Sequence, residues 1–196
     1  SVRRPDTLAR VADSLRRIHD GPAIPGMFIP LRIAEVYRGL AEARGVPVPV
    51  EYELAMAVGR RIELACLTAP LPMLPCHNDL LNANFLDDGD RIRIVDWEYA
   101  GMGDVFFDLA NFSINNGLGG EERQALLEAY FGEVRTGDER ALELMLFMSD
   151  FREAMWGVVQ SAVSELDFDF AGYAAEHFER MQRTAAEPSF RAALGS

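Results

Sequence analysis

The chain has 196 residues, a formal net charge of −12 at pH 7 and 49 % hydrophobic residues. That length and apolar content suit one sizeable core or two small ones and exclude wholesale disorder. The acidity argues against a nucleic-acid partner, no apolar run approaches the roughly 18 residues of a membrane span, and the N-terminus lacks a signal-peptide pattern.

In chain order, a first helix is predicted over 6–20, where Leu8, Val11, Ala12, Leu15 and Ile18 recur at helical spacing. Asp6 or Thr7 can cap it, and Gly21-Pro22 stops it. Arg16, Arg17 and His19 fall in its last turn, where cations suit the helix dipole, and His19 reads as structural. A loop from Pro22 to Pro30 leads to a second helix over about 31–44, ended by Gly45. Pro47 and Pro49 make an extended connector to a third helix over about 51–68, with Leu54, Val58, Ile62 and Cys66 on one face and Arg60-Arg61 on a solvated one. Cys66 and Cys76 show no metal or redox spacing and read as reduced structural thiols of a cytoplasmic protein.

Residues 76–99 carry the densest chemistry. They read Cys76-His77-Asn78-Asp79-Leu80-Leu81-Asn82-Ala83-Asn84-Phe85-Leu86, a turn at Asp87 to Asp90, then Arg91-Ile92-Arg93-Ile94-Val95-Asp96-Trp97-Glu98-Tyr99. Two short apolar runs around an Asp/Gly turn predict a β-hairpin. Ile92 and Ile94 alternate with arginines, as a half-buried strand requires. Closing the hairpin brings Asn84 close to Asp96, with Asp79 in a loop entering the same end. One carboxylate, one carboxamide and a second carboxylate then share one mouth. Oxygen donors of this kind suit Mg²⁺, and a further Asp can orient an attacking hydroxyl and take its proton, so the set suits phosphoryl transfer.

Beyond the hairpin, Gly101-Met102-Gly103-Asp104 reads as a mobile loop. A helix over about 105–116 carries Asp108 and Asn111. Further helices are predicted over about 121–131, 138–164 and 170–185, with Pro188 marking a frayed exit. The stretch from Leu142 to Met148 is apolar nearly all round, as in a helix buried in a bundle. The whole reads as mainly α, a single helical lobe over 1–196 with a small β-hairpin insert, an α+β arrangement.

His77-Asn78-Asp79-Leu80-Leu81 with Asn84, Ile94-Val95-Asp96-Trp97-Glu98-Tyr99 and Phe107-Asp108-Leu109-Ala110-Asn111 together resemble the choline/ethanolamine kinase family, which lies among small-molecule kinases that include the aminoglycoside phosphotransferases. The resemblance implies a protein-kinase-like fold and an ATP- and Mg²⁺-dependent transfer to an alcohol. The catalytic loop would span 76–84, with His77, Asp79 and Asn84 as its catalytic set and Asp79 as base. Asn84 and Asp96 would hold Mg²⁺ at the strand end within 91–99, with Glu98 assisting at the metal and the acceptor. Asp108 would brace the loop from the following helix.

The resemblance extends to the helices over 138–185. Trp156-Gly157-Val158-Val159-Gln160, Leu166-Asp167-Phe168 and Tyr173-Ala174 match the family's amino-alcohol pocket, so Trp156, Phe168 and Tyr173 would wall it. Glu153 stands where many eukaryotic members have a further Trp, which thins the cage and leaves choline, ethanolamine or another amino alcohol open. The chain contains no lysine, its 19 basic residues other than histidine being arginine. Kinases of this fold hold nucleotide phosphates with a strand lysine beneath a Gly-rich loop, both upstream of the catalytic loop. The expectation is therefore a C-terminal lobe whose nucleotide lobe is absent, impaired by itself. An aminoglycoside-type kinase, drawing on Glu153, Glu165, Asp167 and Asp169, and a non-catalytic binder of cations are the alternatives.

Overall fold

A computed structural model describes residues 2–68 and 70–195 of the chain. They gather into two compact units, Ser1–Phe28 with Leu71–Met145, and Ile29–Pro70 with Leu146–Ser196. No helix among the described residues is long and apolar enough to cross a membrane.

The first unit opens with α1 (Pro5–His19). Proline suits the first helical position, where its missing N–H costs nothing. The capping prediction is corrected here: Arg4 is the cap residue, with no side-chain cap bond, and its carbonyl accepts from Thr7 and Leu8. Asp6 sits inside the first turn and pairs with Arg4 instead. α1 buries Leu8, Val11, Ala12 and Leu15 and packs along α5 (Gly120–Phe131).

β2 (Phe85–Asp87) and β3 (Ile92–Ile94) form the expected antiparallel hairpin, with Phe85 opposite Ile94 and Asp87 opposite Ile92. Its turn is tied by the Asp87 carboxylate accepting from Gly89 N–H and the Asp88 carboxylate accepting from Asp90 and Arg91 N–H. α1 anchors the hairpin: Arg10 binds Asp87 through two hydrogen bonds, which holds that carboxyl below its usual range, and Ser14 Oγ donates to Ile92 O at 2.7 Å.

A second two-stranded sheet pairs β1 (Leu74–Cys76) with β4 (Gly101–Gly103) antiparallel, Cys76 facing Gly101. The loop predicted at Gly101 to Gly103 is thus a strand. A Cβ on Gly103 would lie 3.1 Å from Asn78 Oδ1 and 3.4 Å from Cys76 Cβ, so only glycine lets the strand settle this closely. A Gly-Met-Gly run carries no apolar alternation, and nothing in it signals a strand. α4 (Val105–Asn115) follows, buried from Val105 to Ile114.

The second unit holds α2 (Pro30–Ala43), α3 (Glu51–Leu67), the later part of α6 (Thr136–Val163), α7 (Phe170–Ala186) and α8 (Pro188–Leu194). The buried face of α3 is Tyr52, Ala55, Met56, Gly59 and Ile62, an i, i+3, i+4 stripe. Leu54, predicted on the buried face, is exposed; the face turns instead to Phe151, whose ring lies 5.6 Å from that of Tyr52. Pro188 starts a helix rather than marking a frayed exit, because proline at a first helical position is preorganised and Phe190 then stacks on Phe147 at 5.4 Å.

Asp104 caps α4 by accepting from Phe106 N–H at 2.9 Å, while burial raises its carboxyl above the ordinary range. A raised folded-state value means this group favours folding least once it is ionised, so its contribution falls as pH rises through the raised value. Asp104→Asn keeps the acceptor without the charge. It should match the wild type at acid pH and gain on it towards neutrality, whereas Asp104→Ala should lose about 1 kcal/mol of cap energy. Urea melts between pH 4 and pH 7 read both.

Candidate active site

The site of the first unit is built on α4. Asp108, fully buried one turn into that helix, accepts from His77 N–H at 2.8 Å and from Asn78 N–H at 2.7 Å. His19 Nε2 lies 3.0 Å from the same carboxylate, and His19 Nδ1 lies 2.6 Å from the Tyr130 hydroxyl. In the neutral imidazole, Nε2–H donating to Asp108 with Nδ1 accepting from the Tyr130 hydroxyl satisfies all of these. One turn further along α4, Asn111 accepts from Leu80 N–H. Two side chains of one helix therefore satisfy the N–H groups of residues 77, 78 and 80, in a stretch without helix or strand bonds of its own.

Among the described residues, two non-glycine residues have left-handed backbones, Asn78 at φ 65° and Asp96 at φ 67°. Such conformations are costly and concentrate at functional sites. At Asn78 the turn leads successive N–H groups onto one carboxylate, and its Nδ2 donates to Tyr99 O at 3.1 Å.

His77 is fully buried, and both its ring nitrogens are used: Nε2 donates to Val95 O at 3.0 Å and Nδ1 accepts from Asp79 N–H at 3.3 Å. Val95 in turn donates its N–H to Asn84 O at 3.0 Å. The two peptide groups of Val95 thus tie the loop and the hairpin, and Asp96 follows directly. Asn84 Nδ2 donates to Asp79 O at 2.9 Å and lies 3.4 Å from Asp79 Oδ2. Asp79 and Asn84 are 6 % and 7 % exposed, at the edge of the core, while Asp96 and Glu98 are open to solvent. Asp79, Asn84 and Asp96 are brought together by these bonds; Glu98 lies two residues on, past Trp97, whose ring meets that of His77 edge-on at 4.8 Å.

This donor set fits Mg²⁺. The amide nitrogen of Asn84 is committed to the Asp79 carbonyl, which leaves its Oδ1 as the atom to offer a cation, and the carboxylate of Asp96 is exposed. These are hard oxygen donors in small number, as Mg²⁺ shared with phosphates requires. By contrast, His19, Cys76 and Asp108 lie within 4.8 Å of one another but are buried, and burial with the nearby Asp108 charge raises the Cys76 thiol so that it stays protonated. A groove of about 720 Å³ between α1 and β3, bordered by Arg10, Ser14, Arg17 and Trp97, includes neither Asp79 nor Asn84.

Sequence reasoning left Asn111, Tyr130 and Val95 without roles. Asn111 carried a usable signal, standing three residues after Asp108 on the same helix face. Tyr130, 111 residues from His19, carried none.

In the second unit, α6 and α7 gather the predicted pocket residues. Trp156 meets Tyr173 at 5.7 Å and Phe170 at 5.8 Å, and Phe168 meets Tyr173 at 6.1 Å, all near edge-to-face. Phe168 is 56 % exposed and Trp156 and Tyr173 are half-buried. Glu153 is almost wholly buried, 2.7 Å from Arg152 Nη1, and accepts from the Tyr173 hydroxyl at 2.9 Å. Glu165 and Asp167 are exposed, and Asp169 caps α7 by accepting from Gly172 N–H.

A mostly helical fold with two small antiparallel sheets is that of the kinase-like phosphotransferases. Residues 1–144 match the phosphotransferase enzyme family, and the chain belongs to that family. Probable choline kinase 2 of Arabidopsis thaliana is 25 % identical over 210 residues, covering 91 % of this chain and 60 % of that protein. Ethanolamine kinase 2 of Rattus norvegicus is 31 % identical over 131 residues, covering 56 % of this chain and 34 % of that protein. The crystal structure of a choline/ethanolamine kinase family protein from Mesorhizobium loti aligns at TM-score 0.88 and 31 % identity, covering 98 % of this chain and 66 % of that one. The choline kinase LicA from Streptococcus pneumoniae shares the fold at TM-score 0.79 and 22 % identity, over 93 % of this chain and 64 % of that one. The chain thus spans about 60 % of the length of the first curated relative it matches.

Replacing Asp108 by Ala leaves the His77 and Asn78 N–H groups and His19 without their acceptor in a dry site. The expected cost is about 3–5 kcal/mol in urea denaturation, the span for breaking a buried polar network. A cost below about 1 kcal/mol would mean that the loop is held by something else.

Proposed function

We propose that this chain is the acceptor- and metal-holding C-terminal lobe of an ATP-dependent kinase acting on the hydroxyl of a small amino alcohol, choline or ethanolamine. The observation that carries the reading is the tie among Asp79, Asn84 and Asp96: an amide bridging to Asp79 and a left-handed Asp96 joined to Asn84 through Val95. The absence of lysine and the partial span of longer kinases support placing the phosphate-holding lysine and Gly-rich loop in a separate nucleotide lobe. The reading places the protein in the cytoplasm.

In this mechanism Asp79 accepts the proton of the acceptor hydroxyl as its oxygen attacks the γ-phosphorus of ATP. The new O–P bond forms as the bond to the bridging oxygen of ADP breaks, and the proton passes from Asp79 to solvent. Asn84 keeps the Asp79 side chain aimed at the mouth. His77, with both nitrogens engaged by backbone, positions Asp79 and exchanges no proton itself. Asn84 and Asp96 would hold Mg²⁺, with Glu98 near at hand, and the ion would supply charge neutralisation at the phosphates. Most of the rate enhancement then comes from positioning and electrostatics. The aromatic cluster of Trp156, Phe168 and Tyr173 supplies faces suited to an ammonium group.

ADP release is to be measured with Mg²⁺ and a panel of choline, ethanolamine and aminoglycosides, on this chain and on the full protein as its gene encodes it. Turnover of one amino alcohol by the full protein is expected. Asp79→Asn should lower that turnover by about 10²–10⁴-fold with the melting temperature held, the usual span for a general base. Turnover of aminoglycosides alone would move the assignment to the antibiotic kinases. No turnover of any acceptor would remove the kinase reading.

A further inference from the structure

The second unit contains a polar cluster that the mechanism does not use, and it converges on one aromatic side chain. Tyr173 is held on several sides. Its hydroxyl donates to Glu153 at 2.9 Å, and its ring packs against the His177 ring at 4.3 Å and the Trp156 ring at 5.7 Å. His177 is itself fixed, its Nδ1 lying 2.9 Å from Asp150 Oδ1, which also accepts from Arg180 Nε at 2.7 Å. With Arg180 Nη2 at 3.0 Å from the same Nδ1, the consistent assignment has Nδ1–H donating to Asp150 and Arg180 donating to Asp150 as well. On the α6 side, a Cβ on Gly157 would fall 3.0 Å from Tyr173 Cδ1 and 3.2 Å from Ala174 N, so the absent side chain is what lets α7 approach.

Glu153 is the acid nearest this cluster and the natural candidate for a counter-ion to a bound ammonium. Its geometry says otherwise. It is 1 % exposed, its charge is met by Arg152 at 2.7 Å, and its second oxygen receives the Tyr173 hydroxyl. A carboxylate so paired has little field left for a ligand.

We infer that Glu153 is a positioning residue, which presets Tyr173 as a wall of the ammonium pocket and does not itself pair with the ligand's cation. The inference rests on the amino-alcohol kinase reading above. It assigns cation recognition to aromatic faces, so the pocket gains nothing from N–H groups on the ammonium through this acid. A quaternary and a primary ammonium should therefore feel changes at Glu153 and at the Tyr173 hydroxyl alike.

The test is the acceptor KM and kcat of the full protein for choline and for ethanolamine, in the wild type and in Glu153→Gln, Glu153→Ala and Tyr173→Phe. Gln can still accept from the Tyr173 hydroxyl, so Glu153→Gln should keep both KM values within about threefold. Glu153→Ala and Tyr173→Phe release the ring and should raise both KM values by about tenfold, the scale of one charge-assisted hydrogen bond, with kcat within about twofold. A rise in Glu153→Gln confined to ethanolamine would make the acid a counter-ion and overturn the inference. So would unchanged KM values in Tyr173→Phe. If the Glu153 variants do not fold, because Arg152 loses its partner, Tyr173→Phe decides alone: a parallel rise supports the inference, and no rise or a one-sided rise overturns it. A wild type that turns over neither alcohol would instead remove the kinase reading itself.

Discussion

The Asp108 carboxylate is the constraint on which the first unit depends. A carboxylate with no solvent exposure is tolerable only where hydrogen bonds replace its lost hydration. Here two backbone N–H groups and an imidazole converge on it. The dependence runs both ways, since residues 77–80 have no ladder or helix to satisfy their own amides, and α4 supplies Asp108 and Asn111 to those of 77, 78 and 80. His19 then links α1 to the cluster, and Tyr130 links α5. A loop without regular secondary structure is thereby tied to three helices.

Such anchoring is what the proposed chemistry at the mouth requires. Positioning within a fraction of an ångström is worth orders of magnitude in rate, and it cannot come from a loop free to move. Val95 transmits the order from the loop to the hairpin, because its carbonyl meets His77 while its N–H meets Asn84. The left-handed Asn78 and Asp96 sit at the two junctions where the chain must turn sharply, and the surrounding bonds hold them there.

The second unit uses polar groups differently. Its buried Glu153, Arg152, Asp150 and His177 lie in a helical core rather than at an open edge. Replacing such groups by apolar ones is often neutral or stabilising, so their presence points to specificity rather than stability. In this unit the pairs tie Tyr173 to Glu153 and His177 to Asp150, across α6 and α7.

Helical periodicity made α1, α3, α5 and the long α6 readable, and the Asp/Gly turn with alternating isoleucines made the hairpin readable, because both patterns are local. The order of Asp79, Asn84 and Asp96 around that hairpin was readable for the same reason: closing one local turn brings its ends together. The buried face of α3 was misread at Leu54, since which stripe faces inward is set by what packs against it. The β1–β4 sheet was invisible in sequence because Gly101 and Gly103 contribute close approach rather than side chains. So too was the partnership of His19, Tyr130 and Asp108, residues separated by up to 111 positions. Sequence by itself determined the elements and the chemical types at the mouth. Only the tertiary structure decided that His77 has no nitrogen to spare and that Glu153 is already paired, because a side chain's free valences depend on neighbours that local sequence does not name.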